Sequence, residues 1–358
     1  MKPIHILVDS LVDEGLTNAQ MINAREIVTR LDPDRFSVTT FMHGPPSAQI
    51  AGRPNTRLIQ LPDRRQTILL LAQYLFGNHD ILFYLKASPA SRWYLKLRCL
   101  RPAGCVIVGT VESQTDWRDE TMTLQTRRLV EQTVLRSDYL FSNSAFVRHS
   151  LEKNYGLNSE VVPTGVDTDF FTPNWDRPAN VRLRVLFVGA LRVFKGPQVV
   201  LDAAQRYPQA DFILVGDGVM AEQLRDRAKG LANVVMRGTL GRNAIREEYR
   251  AADIFLFPSR WEGSPRVLME AAASGLPVIA RSDYEPESVI DGQTGFLART
   301  DAEIMASLAR LLASPDLCRT LGQAGRAHMA RFSWDLIALQ WESIFTRLAP
   351  AQRKDSRS

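Results

Sequence analysis

Residues 259–280, SRWEGSPRVLMEAAASGLPVIA, combine a polar loop, a short apolar helix and a buried strand. Ser264 is a favourable N-cap and Pro265 suits the first helical position, so the sequence predicts that the helix starts at Pro265. Gly275 and Pro277 are typical of the end of a helix, and the strand follows them. A helix that leads into a buried strand in this way indicates a βα unit of a parallel sheet.

The same alternation of short apolar runs and longer helical patterns continues along the whole chain. The first half predicts strands at residues 4–8, 36–41, 80–85, 105–108 and 139–141, with helical patterns at 18–31, 89–100, 121–136 and 145–155. The second half predicts strands at residues 183–188, 212–215, 233–236, 254–257, 277–280 and 295–298. The sequence therefore predicts an α/β protein built on parallel sheets.

The domain boundaries follow from length and from turn-forming residues. A chain of 358 residues fits about two domains of ordinary size. The proline- and glycine-rich segment 162–179 is typical of a linker. We therefore predict one domain at residues 1–178, a second at 179–332, a helix at 333–348 and a disordered polar tail at 349–358.

Composition excludes several classes of protein. Apolar residues make up 45% and charged residues 23%, as in folded globular proteins. The three cysteines lack CxxC spacing and the five histidines lack HxH or HExxH spacing, which argues against a disulfide framework or a zinc site. A net charge of +5 without a basic run argues against nucleic-acid binding. The first strand is too short for a secretory leader, and the apolar stretch 68–76 is too short for a membrane span. Because the odd number of cysteines fits a reducing compartment, we expect a cytoplasmic protein.

Charged and small residues follow two strands of the second half, at the edge where open α/β sheets bind ligands. Arg192 and Lys195 follow the strand at 183–188 and are suited to hold a diphosphate through charge-assisted hydrogen bonds. Gly216 and Gly218 suit a tight turn that allows close ligand approach. The alternative interpretations are an exposed basic loop and an ordinary turn.

The helix within residues 259–280 offers a second candidate site for an anion. The amides of Arg266, Val267 and Leu268 lie at its start, with the positive end of the helix dipole behind them. Glu262 in the preceding loop and Glu270 in the second turn are suited to bind separate hydroxyl groups of one ligand. The alternative is an ordinary helix start with two solvated glutamates.

These residues resemble the retaining glycosyltransferases of family 4, whose GT-B fold has two Rossmann-like domains facing across a cleft. The E-x7-E signature corresponds to Glu262 and Glu270, followed by AxxSGLPVIA. Further similarity lies in PTGVDTDFF at 163–171, FVGAL at 187–191, VGDG at 215–218 and PESVIDGQTGFL at 286–297. The resemblance implies an acceptor-side first domain, a nucleotide-sugar-binding second domain and a last helix that returns to the first.

The resemblance also implies roles for individual residues. Lys195 would bind the donor diphosphate, Glu270 the ribose and Glu262 the donor sugar, with the base near Arg237. The implied catalytic residues are Glu262, Lys195, Arg192 and Glu112. The implied donor-binding residues are Glu270, Gly15, Gly189, Gly218, Arg237, Gly238, Gly263, Ser264, Pro265, Arg266, Val267 and Leu268.

The implied reaction is sugar transfer from a nucleotide-diphosphate-sugar to an acceptor hydroxyl with retention, without a cofactor or an obligatory metal. The acceptor would be a glycan or a lipid-linked molecule. Three positions depart from the family: Ala190 stands where arginine is frequent, Glu112 where histidine is frequent, and only Gly15 remains of a glycine pair. These departures leave open a catalytically degenerate nucleotide-sugar-binding protein, as well as a sugar-nucleotide epimerase or a phosphorylase.

A basic amphipathic pattern at residues 91–101 suggests peripheral contact with the inner face of a membrane. Arg92, Trp93, Lys96 and Arg98 are the residues suited to an anionic lipid surface. The alternative is a helix that packs its apolar face on its own sheet and solvates its charges.

Overall fold

The computed structural model describes residues 2–14, 18–101, 104–115 and 122–349, which form two compact units. The first unit ends at Thr164 and resumes at Trp334, and the second spans Gly165–Ser333. The division thus lies before the predicted boundary between residues 178 and 179. The reason is that the segment after Gly165 bonds to the second unit: the Val166 amide donates to the Phe332 carbonyl at 2.8 Å.

The first unit contains a seven-stranded parallel sheet. Its strands are β1 (Ile4–Leu11), β2 (Phe36–Met42), β3 (Thr56–Gln60), β4 (Ile81–Phe83), β5 (Val106–Val111), β6 (Tyr139–Ser142) and β7 (Glu160–Val161). Its helices are α1 (Ala19–Arg30), α2 (Ala48–Ala51), α3 (Gln66–Phe76), α4 (Pro89–Leu97), α5 (Leu124–Gln132), α6 (Ala145–Tyr155) and the last helix, α13 (Trp334–Leu348).

The second unit contains a six-stranded parallel sheet. Its strands are β8 (Arg184–Val188), β9 (Asp211–Val215), β10 (Val234–Gly238), β11 (Ile254–Phe257), β12 (Val278–Arg281) and β13 (Gly295–Ala298). Its helices are α7 (Pro197–Arg206), α8 (Ala221–Ala228), α9 (Arg242–Ala251), α10 (Arg266–Ala273), α11 (Asp301–Leu312) and α12 (Pro315–Met329).

In both sheets the first strand is internal: the next two strands lie on one side of it and the later strands on the other. The strand order is β3-β2-β1-β4-β5-β6-β7 in the first unit and β10-β9-β8-β11-β12-β13 in the second. β1 therefore lies beside β4, and β8 beside β11. In doubly wound folds, ligands bind outside the carboxyl ends of the two strands at this switch point.

The predicted α/β class and parallel sheets are confirmed, and β3 and β7 are the strands that the sequence did not predict. Residues 1, 15–17, 102–103, 116–121 and 350–358 lie outside the described residues, and they include Gly15 and nearly all of the predicted tail. Ala349, the first residue of that tail, is buried. Within the described ranges, no helix is both long and apolar enough to cross a membrane.

The last helix, α13, is part of the hydrophobic core of the first unit. The buried Trp341 ring lies 4.7 Å from that of Phe83 and 4.9 Å from that of Phe141, measured between centroids. The Phe345 ring lies 4.9 Å from Phe83 as well. The Asp32 amide and the Arg35 guanidinium donate to Glu342 at 2.6 and 3.0 Å and bind the helix to the loop after α1.

We predict that Trp341→Ala destabilises the first unit by about 3–5 kcal/mol, because it leaves a cavity among Phe83, Phe141 and Phe345. Urea unfolding followed by circular dichroism measures the loss. Leu339→Ala, at an exposed position of the same helix, is the matched control and should change the free energy of unfolding by less than about 0.5 kcal/mol. Equal losses in the two variants would contradict the packing assigned to α13.

Candidate functional site

The switch point of the second unit lies between the loops that follow β8 and β11. Ile254 and Phe255 of β11 pair with Val185 and Leu186 of β8, so the two loops emerge side by side. The first loop covers residues 189–196 and the second residues 258–265. Most of the predicted site residues of this unit lie on these loops or at the start of α10.

The two loops are in direct backbone contact. The Arg260 amide donates to the Phe194 carbonyl at 2.8 Å. Gly196 has a φ of +71°, and a Cβ there would lie 2.7 Å from the Pro258 carbonyl oxygen. The position therefore requires glycine for both its conformation and its space. These contacts hold Lys195 next to the loop that carries Glu262.

Lys195 and Glu262 form an ion pair at this switch point. The Lys195 Nζ lies 2.5 Å from the Glu262 Oε1, and the Ser259 hydroxyl donates to the same oxygen at 2.6 Å. Glu262 is buried, and the Lys195 ammonium also lies 5.4 and 5.5 Å from the ring centroids of Phe194 and Phe257. The arrangement fixes one cation and one anion together in a partly buried position.

Glu270 is bound by two donors from different parts of the second unit. Its Oε1 accepts from the Arg266 guanidinium at 3.1 Å and its Oε2 from the Tyr249 hydroxyl of α9 at 3.2 Å. Burial, together with the nearby charge of Glu270, raises the pKa of Tyr249 well above its ordinary value. The phenol therefore stays protonated and keeps the buried carboxylate oriented.

The start of α10 differs by one residue from the prediction. Pro265 has a ψ of 116° and occupies the N-cap position, so Arg266 rather than Pro265 is the first helical residue and Ser264 is not the N-cap. The Leu268 amide donates to the Pro265 carbonyl at 3.2 Å, so it is not a free donor as expected. The amides of Arg266 and Val267 lack an intrahelical acceptor, as in the first turn of any α-helix.

The tight turn predicted at residues 216–218 is present and touches the loop after β8. Gly216 and Gly218 have φ values of +135° and +158°. A Cβ on Gly216 would lie 1.9 Å from the Gly189 carbonyl oxygen, and one on Gly218 would lie 2.6 Å from that of Leu191. Close backbone approach thus requires glycine at both positions.

The remaining predicted residues of this unit have different surroundings. Arg192 is exposed, and its guanidinium has no ion pair or hydrogen bond with the described residues. Arg237 is paired with Glu248 at 3.1 Å, and the neighbouring Gly238 carbonyl accepts from the Gly216 amide at 2.8 Å. Gly263 is buried in the loop before α10.

Glu112 belongs to the first unit, where it follows β5. Its Oε2 accepts from the Asn23 side chain at 3.1 Å, and the Tyr84 hydroxyl donates to its Oε1. Burial and the charge of Glu112 raise the pKa of Tyr84 well above its ordinary value, so the phenol remains a donor. Gly15, the other predicted residue of this unit, lies outside the described residues.

Sequence reasoning missed Tyr249, Ser259 and Tyr84. A lone tyrosine in a charged amphipathic helix, as in REEYRAA, has no motif that distinguishes a site residue from a core residue. The hydrogen bonds of Tyr249 and Tyr84 each join two different structural elements. The side chain of Ser259 meets its partner only when the loop is folded. The fold, not the local pattern, reveals them.

Residues 182–314 match the protein family described as glycosyl transferases group 1. A D-inositol 3-phosphate glycosyltransferase of Corynebacterium aurimucosum is 32% identical over 258 residues, which are 63% of this chain and 61% of that protein. A GDP-mannose-dependent alpha-(1-6)-phosphatidylinositol monomannoside mannosyltransferase of Mycolicibacterium smegmatis is 29% identical over 84% of this chain and 83% of that protein. The chain spans between 51% and 63% of the length of the first three curated relatives that it matches.

Two solved structures have the same fold. A sucrose-phosphate synthase from Thermosynechococcus elongatus superposes with a TM-score of 0.80 at 22% identity, over 98% of this chain and 100% of that one. Anabaena Alr3699/HepE in complex with UDP-glucose has a TM-score of 0.74 at 18% identity, over 96% and 100% of the two chains. The predicted GT-B fold is confirmed.

We predict that Gly216→Ala lowers the melting temperature of the second unit by at least about 4 °C, because the added Cβ would collide with the Gly189 carbonyl. Differential scanning calorimetry measures the change. Gly230→Ala is the matched control, since a Cβ there meets only the Arg227 carbonyl at 3.9 Å. A Gly216→Ala protein as stable as the control would contradict the close approach of the two loops.

Proposed function

We propose that this chain, which contains a glycosyl transferases group 1 domain at residues 182–314, transfers a sugar from a nucleotide-diphosphate-sugar to an acceptor hydroxyl. The observation that carries the proposal is the Lys195–Glu262 pair at the switch point of the second unit, beside the start of α10. One cation, two oriented carboxylates and unsatisfied helix amides there match the groups of a nucleotide sugar.

Lys195 and the first amides of α10 bind the donor diphosphate. The ammonium supplies a full positive charge, and the amides of Arg266 and Val267 add the positive end of the helix dipole. As the sugar leaves, negative charge grows on the diphosphate, and these fixed groups stabilise it. We therefore propose a reaction that needs neither a cofactor nor an obligatory metal.

The carboxylates bind hydroxyl groups of the donor. An ionised carboxylate offers about four acceptor positions, so Glu262 can accept from a sugar hydroxyl while it stays bonded to Lys195 and Ser259. Glu270, held by Arg266 and Tyr249, accepts from the ribose in the same way. Backbone groups near Arg237 and Gly238 contact the base, and Gly189 and Gly218 allow the donor to approach the loops closely.

Arg192 supplies the second diphosphate cation in place of the arginine expected at Ala190. This assignment is supported by the Arg192 guanidinium, which is exposed and unpaired among the described residues and lies in the same loop as Lys195. A long flexible side chain can reach a ligand from a position two residues further along the loop. Arg192 thus compensates for the missing charge.

We propose transfer with retention at the anomeric carbon. The bond from this carbon to the diphosphate oxygen breaks, and its electron pair stays on the nucleoside diphosphate. The acceptor oxygen forms a bond on the same face of the carbon, and the hydroxyl proton passes to the departing diphosphate. In the first unit, Glu112 accepts a hydrogen bond from the acceptor. We place the whole reaction in the cytoplasm.

Incubation of the purified protein with UDP-, GDP-, ADP- and CMP-sugars and a panel of glycan and polyol acceptors tests this function. The proposal predicts an α- or β-linked product with the anomeric configuration of the donor, formed equally well in EDTA. Isomerised nucleotide sugar without acceptor would instead identify an epimerase, and phosphate-dependent release of a sugar phosphate a phosphorylase. Donor binding without any turnover would identify a degenerate binding protein.

We predict that Lys195→Gln lowers kcat by about 10²-fold, since it removes one charged donor from the leaving diphosphate. Lys229→Gln is the matched control, because Lys229 is an exposed lysine of the same unit that pairs with Asp226. Initial rates at saturating donor measure the effect. Unchanged turnover in Lys195→Gln would contradict the role of the ammonium.

Glu270→Gln tests the nucleotide contact separately. We expect the Kd for the nucleoside diphosphate to rise by roughly tenfold, because a charge-assisted hydrogen bond to ribose is lost. Isothermal titration calorimetry measures it. Tyr249→Phe should raise the Kd less, since it only loosens the carboxylate, and a Glu270→Gln protein with the original Kd would exclude ribose binding there.

We also propose peripheral contact with an anionic membrane through α3 and α4. α3 is apolar at most positions, yet Ile68 is 68% and Phe76 72% exposed, and Trp93 of the adjoining α4 is 47% exposed. Arg92 and Lys96 supply positive charge beside Trp93. Such a mixture of cationic and apolar side chains suits the interface of an anionic bilayer.

Arg98 does not fit the membrane-facing set that the sequence predicted. Its guanidinium donates to both carboxylate oxygens of Asp138 at 2.9 Å and to the Cys105 carbonyl at 3.3 Å. The charge of an arginine held in this way is already paired within the unit. The lipid-binding surface therefore consists of Ile68, Phe76, Arg92, Trp93 and Lys96.

We predict that Trp93→Ala weakens binding to phosphatidylglycerol-containing vesicles by roughly tenfold, because the indole no longer enters the interface. Vesicle co-sedimentation measures the binding. Trp175→Ala, at an exposed tryptophan of the second unit, is the control and should bind as the parent does. Equal binding by both variants would contradict the surface assigned here.

A further inference from the structure

A second pocket of the second unit, here called the amino-edge pocket, lies where the strands of its sheet begin. Its volume is about 200 Å³, far above the roughly 15 Å³ that a single water needs. Leu183, Asp253 and Pro277 line it, and they directly precede β8, β11 and β12. The candidate donor site lies where these strands end. Because the strands are parallel, the two sites occupy opposite edges of one sheet.

One wall of the amino-edge pocket is an exposed indole. Trp175 lines the pocket and is 42% exposed. Gly275, just after α10, has a φ of +78°, and a Cβ on it would lie 3.0 Å from the Nε1 of this indole. The ring is therefore supported by a stretch of backbone that only glycine allows so close. A supported and exposed ring offers a flat apolar surface on which a ligand ring can stack.

Arginines supply positive charge to the same pocket. Arg319 of α12 is exposed, and its guanidinium forms no ion pair or hydrogen bond with the described residues. Arg250 of α9 lies 3.5 Å from Glu247 by its Nη1, while its buried Nε has no hydrogen-bond partner in the described part of the chain. Planar guanidinium groups with free N–H donors suit the paired oxygens of a carboxylate or a phosphate.

The carboxylate of Asp253 also lines the pocket, but its acceptor positions are already used. The Arg177 guanidinium donates to its Oδ1, and the Asn180 side chain and the Arg184 amide donate to its Oδ2 at 2.7 Å each. Asp253 is thus paired with Arg177, which also lines the pocket. Three arginines against one aspartate leave the lining with a net charge of +2, which favours an anionic ligand.

Ser274 adds a buried hydroxyl to the lining. The residue follows the last turn of α10 and is 3% exposed, and its Oγ has no hydrogen-bond partner among the residues that the structure describes. A buried hydroxyl without a partner is unfavourable. An oxygen atom of a ligand in the pocket would accept from it and remove this cost.

We propose that the amino-edge pocket binds an aromatic oxyanion, that is, a flat ring that carries a carboxylate or a phosphate. The ring stacks on Trp175. The oxyanion accepts from Arg319 and Arg250, and the Ser274 hydroxyl is a further donor. This ligand is distinct from the nucleotide sugar, because it binds at the opposite edge of the sheet.

The ligand acts as an effector of the donor site through α9 and α10. Tyr249 lines the amino-edge pocket and donates to the Glu270 carboxylate, and the Ser274 amide donates to the Glu270 carbonyl at 3.0 Å. A ligand packed against Tyr249 and Ser274 holds both in the positions that orient Glu270, so it tightens nucleotide binding. The effector role rests on the proposed function, whereas the binding site does not.

Isothermal titration calorimetry of the full chain tests the site. Phenyl phosphate and benzoate are the probes, and inorganic phosphate and phenol represent their separate halves. We expect at least one probe to bind at least tenfold more tightly than either half, because ring and oxyanion are bound together. Tighter binding of phenyl phosphate identifies a phosphate ligand, and tighter binding of benzoate identifies a carboxylate.

Variants locate the probe in the molecule. Arg319→Gln should raise the Kd of the probe at least fivefold, and Trp175→Ala should remove its advantage over inorganic phosphate. Ser274→Ala should weaken binding without lowering the melting temperature, since the lost hydroxyl has no partner within the described residues. Arg331→Gln, at an exposed arginine beyond the other end of α12, is the matched control and should keep the parent Kd.

Three results would overturn the site. The first is a parent that binds neither probe more tightly than inorganic phosphate. The second is probe binding unchanged in Arg319→Gln and Trp175→Ala proteins that fold, by their circular dichroism spectra. The third is probe binding lost in Lys195→Gln but kept in Arg319→Gln, which would place the probe in the donor site.

Titration of nucleoside diphosphates with and without saturating probe tests the effector role. We expect the probe to lower the nucleotide Kd at least threefold, and Tyr249→Phe to abolish this effect while it keeps the probe affinity. A nucleotide Kd that the probe leaves unchanged would overturn the effector role. A parent that binds the probe through Arg319 but binds no nucleoside diphosphate would contradict the proposed function and support the amino-edge pocket.

Discussion

The position of the first strand in each sheet is the constraint on which both candidate sites depend. The chain adds strands on one side of β8 and then continues on its other side, which brings the loop after β8 beside the loop after β11. In the first unit, β1 and β4 meet in the same way. Since all strand pairs are parallel, every βα loop of a sheet emerges at one edge. This topology therefore places the candidate site residues of each unit at that edge.

Close backbone contacts then turn each edge into a defined site. In the second unit, glycines at 196, 216 and 218 let neighbouring loops approach within a distance that any side chain would prevent. The charged residues follow from that geometry: Lys195 meets Glu262, and Glu270 meets Tyr249 and Arg266. In the first unit, Glu112 follows β5 and is held by Asn23 and Tyr84.

The sequence predicts the second unit better than the first, for physical reasons. Five of the six strands of the second unit are mostly buried and read as continuous apolar runs, and the edge strand β10 still begins with the apolar run VVM. β3, TRLIQ, is an edge strand with half-exposed side chains, so its apolar signal is weak. The one-residue error at α10 arises because proline suits both the N-cap and the first helical position by its φ, and only its ψ separates the two. Lys195, Glu262 and Glu270 are recognisable from the sequence, whereas Tyr249 and Tyr84 can be recognised only from partners that are distant in sequence.

Amide hydrogen exchange of the full chain, with and without a panel of nucleoside diphosphates, tests the central claim most directly. The account predicts that one base class protects the amides of residues 189–196 and 263–268 in the second unit, with little change in α6 of the first unit. Protection by none of the nucleotides, or protection confined to the first unit, would contradict a donor site at the β8 and β11 switch point.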